Sequence, residues 1–259
     1  MRLVTADGTE IAYEDHEAPG SPVLLLHGLA GHRGEWDDLT ARLRSDGHRV
    51  VTYDARGHGE STRRPVSVTR ESCVADAAAL MDHLSLSPAA VTVVGQSLGG
   101  HTALLLAATR PELLSSLVLI EAGPGPIPVE MPERIGTWLD SWPKPFPTSE
   151  AARDFLGHEA WARGLEKRPD GWWPRVDRNV MVDMITDAAG RDYWPQWRRT
   201  TARALVIRGG KGWMPEEEFR AMGVVRPEAE LRTIATAGHD VHLEAPEALY
   251  GALRAFLTR

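Results

Sequence analysis

The 259-residue chain is 42% apolar and 25% charged, with a formal net charge of −7 and one cysteine, a composition typical of a globular protein long enough to bury a sizeable core. The negative balance argues against a nucleic-acid partner, whose binding surfaces are usually basic, and the single Cys73 permits no intramolecular disulfide and no thiolate-rich metal site. No run approaches the roughly 18 apolar residues of a membrane span and the N-terminal MRLVTADGTE has no apolar signal core, so the simplest expectation is a cytoplasmic protein.

Residues 1–15 carry Asp7-Gly8 between short β-type segments, a hairpin signal. A continuous apolar run follows at 22–27, then a helix-like stretch near 36–46, a second run at 50–53 and an amphipathic helical pattern over 68–84. Runs at 90–94 and 117–120 flank a buried helix predicted over 97–109. Two more runs, 204–207 and 231–234, enclose a helix near 216–222, and a last helix is expected over about 245–257. Short apolar runs alternating with helices predict an α/β fold with a mostly parallel sheet buried on both faces.

Between Gly123 and Thr200 the strand signals stop. Prolines crowd the start of this stretch, helical patterns follow at 148–156 and 179–188, and seven of the nine tryptophans lie within it. The expected organisation is a core of residues 1–123 and 201–259 with a helical lid, 124–200, over the carboxyl ends of the strands, where α/β folds bind ligands.

The sharpest motif is Gly95-Gln96-Ser97-Leu98-Gly99. A parallel strand that turns straight into a helix needs a very tight connection, and flanking glycines relieve the crowding. The serine is then held with Oγ exposed above the sheet, beside the free N–H groups of the helix N-terminus. That strand–turn–helix context gives Gly-x-Ser-x-Gly its meaning as a nucleophile elbow; outside it, the pentapeptide is an ordinary turn.

Three further motifs stand in order around it. His27-Gly28-Leu29-Ala30-Gly31 follows the first buried run, Tyr53-Asp54-Ala55-Arg56-Gly57-His58-Gly59-Glu60-Ser61 follows the second, and Ala237-Gly238-His239-Asp240 precedes the last helix. With these segments the chain resembles the α/β-hydrolase superfamily, over 1–123 and 201–259; the lid matches only in position and helical character. The resemblance implies an α/β-hydrolase fold, Ser97 as nucleophile, His239 as base, and an oxyanion hole made by the backbone N–H groups of Leu29 and Leu98. Imidazole suits the base because its ordinary pKa lies near working pH. His27, His58, His101 and His242 are expected in structural roles, and Asp54 is expected to tie down its own loop.

The third triad member departs from the family. The acid usually follows the strand that is here 204–207, but that loop reads Arg208-Gly209-Gly210-Lys211-Gly212-Trp213-Met214-Pro215. Some members, haloalkane dehalogenases among them, place the acid after the preceding strand, where Glu121 follows 117–120. Glu121 is therefore the expected partner of His239, with an oxygen about 3 Å from the ring nitrogen facing away from Ser97. Glu216, at the start of a helix where the dipole favours carboxylates anyway, is the alternative.

The resemblance also sets limits. Epoxide hydrolases and haloalkane dehalogenases of this fold attack with aspartate, and epoxide opening leans on lid tyrosines, of which Tyr193 is the only one here. No H-E-x-x-H cluster and no G-x-G-x-x-G after a strand are present, so no metal and no cofactor are expected. The reading is a serine hydrolase, a monomer or homodimer, that acts on a small-molecule ester, lactone, thioester or activated amide. Carbon–carbon bond hydrolysis, acyl transfer and perhydrolysis on the same triad stay open, as do a slow-turnover small-molecule receptor and a purely structural protein. The lid tryptophans point either to a bulky apolar or aromatic substrate or only to packing of the lid on the core.

Overall fold

A computed structural model of the chain describes residues 1–86 and 90–258. Strands β1 (Arg2–Val4) and β2 (Glu10–His16) form the opening antiparallel hairpin. The chain continues through β3 (Gly20–Leu26), α1 (Asp37–Ser45), β4 (His48–Tyr53), α2 (Arg70–His83), β5 (Thr92–Gln96), α3 (Leu98–Thr109) and β6 (Ser116–Ile120). Next come α4 (Met131–Asp140), α5 (Ser149–Leu156), α6 (Glu159–Arg163), the short strands β7 (Glu166–Arg168) and β8 (Gly171–Trp173), α7 (Arg178–Ala188) and α8 (Trp194–Arg199). Then β9 (Arg203–Gly209), α9 (Glu216–Val225), β10 (Glu230–Ile234), α10 (Val241–Glu244) and α11 (Pro246–Leu257) complete it. Each buried run read from the sequence falls on a strand, its ends shifted by no more than two residues.

The eight-stranded sheet has the order β1-β2-β4-β3-β5-β6-β9-β10 and is parallel from β4 to β10. Alternate residues of each strand feed two cores. Leu24, Leu26, Val93, Leu117 and Leu119 pack with Leu80 and Met81 of α2, Leu104 and Leu106 of α3, Trp197 of α8 and Phe219 of α9. Val23, Leu25, Val94, Val118 and Ile120 pack on the other face with Leu39 and Leu43 of α1 and Leu249, Leu253 and Phe256 of α11. Period-two alternation with both faces apolar is what makes the strand runs continuous in the sequence. No helix among the described residues is long and apolar enough to cross a membrane.

The chain runs from β3 to β4 on one side and returns to β5 on the other. The crevice beyond the carboxyl ends of β3 and β5 is therefore the switch point at which open α/β sheets take ligands. Segment 124–200 lies over this region: Ile135, Leu139, Trp142, Met181, Met184 and Ile185 form one apolar cluster with Ala30 of the loop after β3, Cys73 of α2 and Leu98 of α3. Five ion pairs, Arg63–Glu166, Arg64–Asp177, Arg175–Glu60, Arg163–Asp37 and Arg191–Glu71, add to the contact. The expectation that strand signals stop here needs correction, because β7 and β8 form a hairpin with Phe146 bridged to Trp172. Its strands, Glu166-Lys167-Arg168 and Gly171-Trp172-Trp173, are too short and too polar to show a strand period. Helix α8 packs on α3, so Trp197 belongs to the core.

Two histidines brace the loops after β3 and β4. His27 donates from Nδ1 to the Gly28 carbonyl (2.7 Å) and accepts at Nε2 from Ala55 N–H (3.0 Å). His58 donates from Nδ1 to the Arg56 carbonyl (2.9 Å) and accepts from Ala30 N–H (3.0 Å). A ring with one donor and one acceptor partner is neutral, and burial pushes the His58 pKa down to about 3. Burial lowers His27 as well, and His101 falls to about 4. Asp54 ties the same loops, accepting from the amides of Arg33 (2.8 Å) and Glu60 (2.9 Å) and pairing with the Arg33 side chain. Beneath them Arg56 makes a buried two-pronged pair with Asp76, both contacts 2.6 Å.

Two outcomes follow. The three buried imidazoles stay neutral in the fold but bind protons below about pH 6.5 once unfolded. Stability is full above that pH and is lost as pH falls toward 4, so the free energy of urea unfolding drops between pH 7 and pH 5, before most carboxylates titrate; a flat profile over that interval would contradict the neutral assignment. Arg56→Met leaves Asp76 buried without its partner and lowers the unfolding free energy by about 3–5 kcal/mol, read from the urea midpoint.

Candidate active site

Ser97 sits between β5 and α3 at φ +50°, ψ −119°, a conformation in which a non-glycine residue is strained. Its amide donates to Ile120 O (2.9 Å), and its carbonyl accepts from His101 N–H (3.1 Å). Two glycines make the turn possible. A Cβ on Gly95 would strike the backbone of Gly99, and one on Gly99 would strike the carbonyls of Leu26 and His27. The first turn of α3 thus settles directly against the ends of β3 and β5. Leu98 is the first residue of α3, where amides have no intrahelical partner. Leu29 lies opposite, on the loop after β3, next to Ala30 at φ +61°.

Glu121 follows β6 at φ +49° with its side chain fully buried. Its Oε1 accepts from Gly209 N–H (2.7 Å); its Oε2 accepts from Trp213 N–H (2.7 Å) and Met214 N–H (3.1 Å) and stands 3.4 Å from His239 Nδ1. The carboxylate fills the space beside Gly212, where any side chain would collide with it. The loop after β9 is thus empty of an acid at the point where the sequence shows Gly212-Trp213, and a residue from the neighbouring strand occupies the room. Glu216, the alternative, is an exposed residue of α9 paired with Arg220 and makes no described contact with His239.

The structure therefore places Ser97 after β5, Glu121 after β6 and His239 after β10, with His239 Nδ1 turned to Glu121 and Nε2 on the opposite edge of the ring. The separation of 3.4 Å is longer than the expected 3 Å. His242 takes a separate partner, Glu35 (3.2 Å), in a buried pair against Trp36. Burial raises the Glu35 carboxyl, but the His242 hydrogen bond and charge outweigh it and the net direction is downward. His101 lies buried beside Tyr193.

Four contacts around the site escaped the sequence reading. The Gln96 side chain donates to His239 O (3.1 Å) and Asp240 Oδ1 (3.4 Å), joining the histidine loop to the elbow. Trp161 of α6 reaches Asp240 Oδ2 from segment 124–200 (3.3 Å), and burial raises the Asp240 carboxyl pKa. Trp142, Trp138 and Trp161 meet edge to face. The Trp213 ring stacks on His239, centroids 4.1 Å apart at 15°. Apart from the Trp138–Trp142 pair, these contacts join residues distant in sequence, for which no period gives a signal; Gln96, His239 and Asp240 stood inside recognised motifs, but nothing there showed their partners.

Comparison with known proteins agrees with this fold. The model of the Alpha/beta hydrolase family matches residues 23–252. Esterase YbfF of Escherichia coli (strain K12) is 30% identical over 244 residues, 92% of this chain and 93% of that protein. The sn-1-specific diacylglycerol lipase ABHD11 of Mus musculus is 27% identical over 268 residues, 94% of this chain and 83% of that protein. The crystal structure of E-2-(acetamidomethylene)succinate hydrolase has a TM-score of 0.88 at 21% identity, covering 100% of this chain and 99% of that one, a likeness of fold. Because the family match spans most of the chain and a relative at 30% identity runs along nearly its full length, the chain belongs to the alpha/beta hydrolase family, and its activity is that of a hydrolase.

Proposed function

We propose that the chain is a serine hydrolase needing no cofactor, which cleaves an ester, lactone, thioester or activated amide of a bulky apolar or aromatic small molecule through an acyl-enzyme. The observation that carries this reading is the fully buried Glu121 carboxylate facing His239 Nδ1 across the switch point from the strained Ser97 turn. Ser97 Oγ attacks the carbonyl carbon while His239 Nε2 takes its proton. Negative charge collects on the carbonyl oxygen, where the amides of Leu29 and Leu98 stabilise it. His239 then gives the proton to the leaving group, and water deacylates Ser97 by the same route in reverse. Glu121 fixes the tautomer with the proton on Nδ1 and stabilises the imidazolium. A resting separation of 3.4 Å is compatible with this role, since catalytic hydrogen bonds tighten in the reacting complex.

Residues 124–200 act as a lid on the core formed by 1–123 and 201–259, the last of which, Arg259, lies outside the described residues. The apolar cluster joining this segment to Leu98 and Ala30 supports that role, because those two residues adjoin the nucleophile and the oxyanion loop. The Trp138–Trp142–Trp161 cluster supports an apolar or aromatic substrate, as do relatives that are an esterase and a lipase.

Ser97→Ala abolishes hydrolysis of aryl esters and labelling by a fluorophosphonate, with the melting temperature within a few degrees of wild type; wild-type activity in that variant would overturn the assignment. Offering water, an alcohol and hydrogen peroxide as acceptors, with product analysis, separates hydrolysis from acyl transfer and perhydrolysis.

Glu121→Gln lowers kcat by at least about 10²-fold, on the precedent of about 10⁴-fold for Asp→Asn in a serine protease triad. It also costs about 1–3 kcal/mol of stability, because the new amide NH₂ must face backbone donors. Glu216→Gln stays within about threefold in kcat, since an exposed first-turn carboxylate contributes a few tenths of a kcal/mol. The reverse order of effects, measured by steady-state kinetics, would move the acid to α9.

A further inference from the structure

Trp213 touches the site twice. Its amide donates to Glu121 Oε2 (2.7 Å), and its indole lies flat on the His239 ring, centroids 4.1 Å apart at 15°. The ring is 67% exposed although the residue that follows, Met214, is buried. An indole held open to solvent gains little from burial, so its contact with the imidazole needs another account. The face of an indole carries negative potential and attracts a cation, Trp being the strongest of the aromatic side chains in this respect. A flat contact also blocks rotation of the imidazole about its long axis, which would swing Nδ1 away from Glu121. That restraint matters here because the Nδ1–Glu121 contact is long.

We propose that the Trp213 indole is a positioning residue that holds the His239 ring edge-on to Glu121 and stabilises it when it carries the serine proton. This rests on the reading of His239 as the general base. The loop after β9 then contributes to the triad without supplying its acid: backbone amides fix the carboxylate, and the ring at 213 covers one face of the base. The other ionisable groups around His239 are Glu121 after β6, Asp240 next in the chain, Glu244 of α10, which accepts from the amides of Gly238 and Asp240, His242 beyond it, and the exposed Lys211 of the same loop as Trp213. None of these is altered by a change confined to the indole.

The test compares Trp213→Phe and Trp213→Ala with wild type, both leaving the backbone amide in place. Without substrate, the fluorescence difference between wild type and Trp213→Phe titrates with pH, because a protonated imidazole quenches an indole stacked on it, and the titration vanishes in the His239→Gln background. With an aryl ester, Trp213→Ala lowers kcat by at least about threefold with KM within twofold, and the acid limb of the kcat profile moves about half a pH unit lower, since the cation has lost its partner. Phenylalanine restores most of both effects. A difference signal that does not titrate, an unchanged kcat and acid limb in Trp213→Ala, or a rise in KM alone would each overturn the proposal, the last by making the indole a substrate contact. If the difference titrates and depends on His239 while wild type hydrolyses no ester, the coupling of indole to imidazole stands and the serine-hydrolase reading falls.

Discussion

The carboxylate of Glu121 joins four strand ends. It stands at the end of β6, accepts from Gly209 at the end of β9 and from two amides of the loop beyond, and faces the histidine loop that follows β10. Ser97, one strand over, hangs its amide on Ile120, the residue before Glu121. A buried carboxylate without partners would be expensive; three backbone donors and an imidazole make it instead the fixed point to which the Ser97 turn, the His239 loop and the loop after β9 are referred. Polar networks in a low-dielectric site are stiff when complete, and this one is complete because position 212 carries no side chain.

The second constraint is strain. Among the described residues four that are not glycine have positive φ, and three of them, Ala30, Ser97 and Glu121, follow β3, β5 and β6. Each turns the chain sharply where the sheet meets the crevice. Such conformations persist only where the surroundings over-determine them, and here the surroundings are explicit: His58 accepts from Ala30, Ile120 from Ser97, and Ile207 from Glu121. The parallel register of β3, β5 and β6 then places their turns side by side, which is why one small region of a large sheet carries the chemistry.

Much of this was legible in the sequence. Runs such as 90–94 and 117–120 are apolar without alternation because both faces of a parallel strand are covered, and the elbow announced itself through glycines that a tight strand-to-helix turn requires. Glu121 could be singled out because the loop expected to carry the acid had none, while Glu121 directly follows the preceding strand, where some family members carry theirs. What stayed hidden depends on tertiary contact. The β7–β8 hairpin is built of charged and aromatic residues around Pro169-Asp170-Gly171, a turn signal with strands of three residues on each side, too short to show a period. The Trp213–His239 stack, the Trp161–Asp240 bond and the Gln96 tether join residues 26 to 144 positions apart, and nothing local marks them.

The way the loop after β9 holds its neighbour has an evolutionary consequence. Its contribution to the Glu121 carboxylate is made of peptide N–H groups, which every residue except proline supplies. Side chains at 211 and 214 can therefore drift without loosening the carboxylate, provided that 213 and 214 do not become proline and 212 stays glycine. A loop that had to present a carboxylate itself would be tied to one residue type at one position. Here the carboxylate resides at the end of β6, and the loop at the rim of the crevice is free to diversify except at 212, which must stay small, and at 213, whose ring lies on His239.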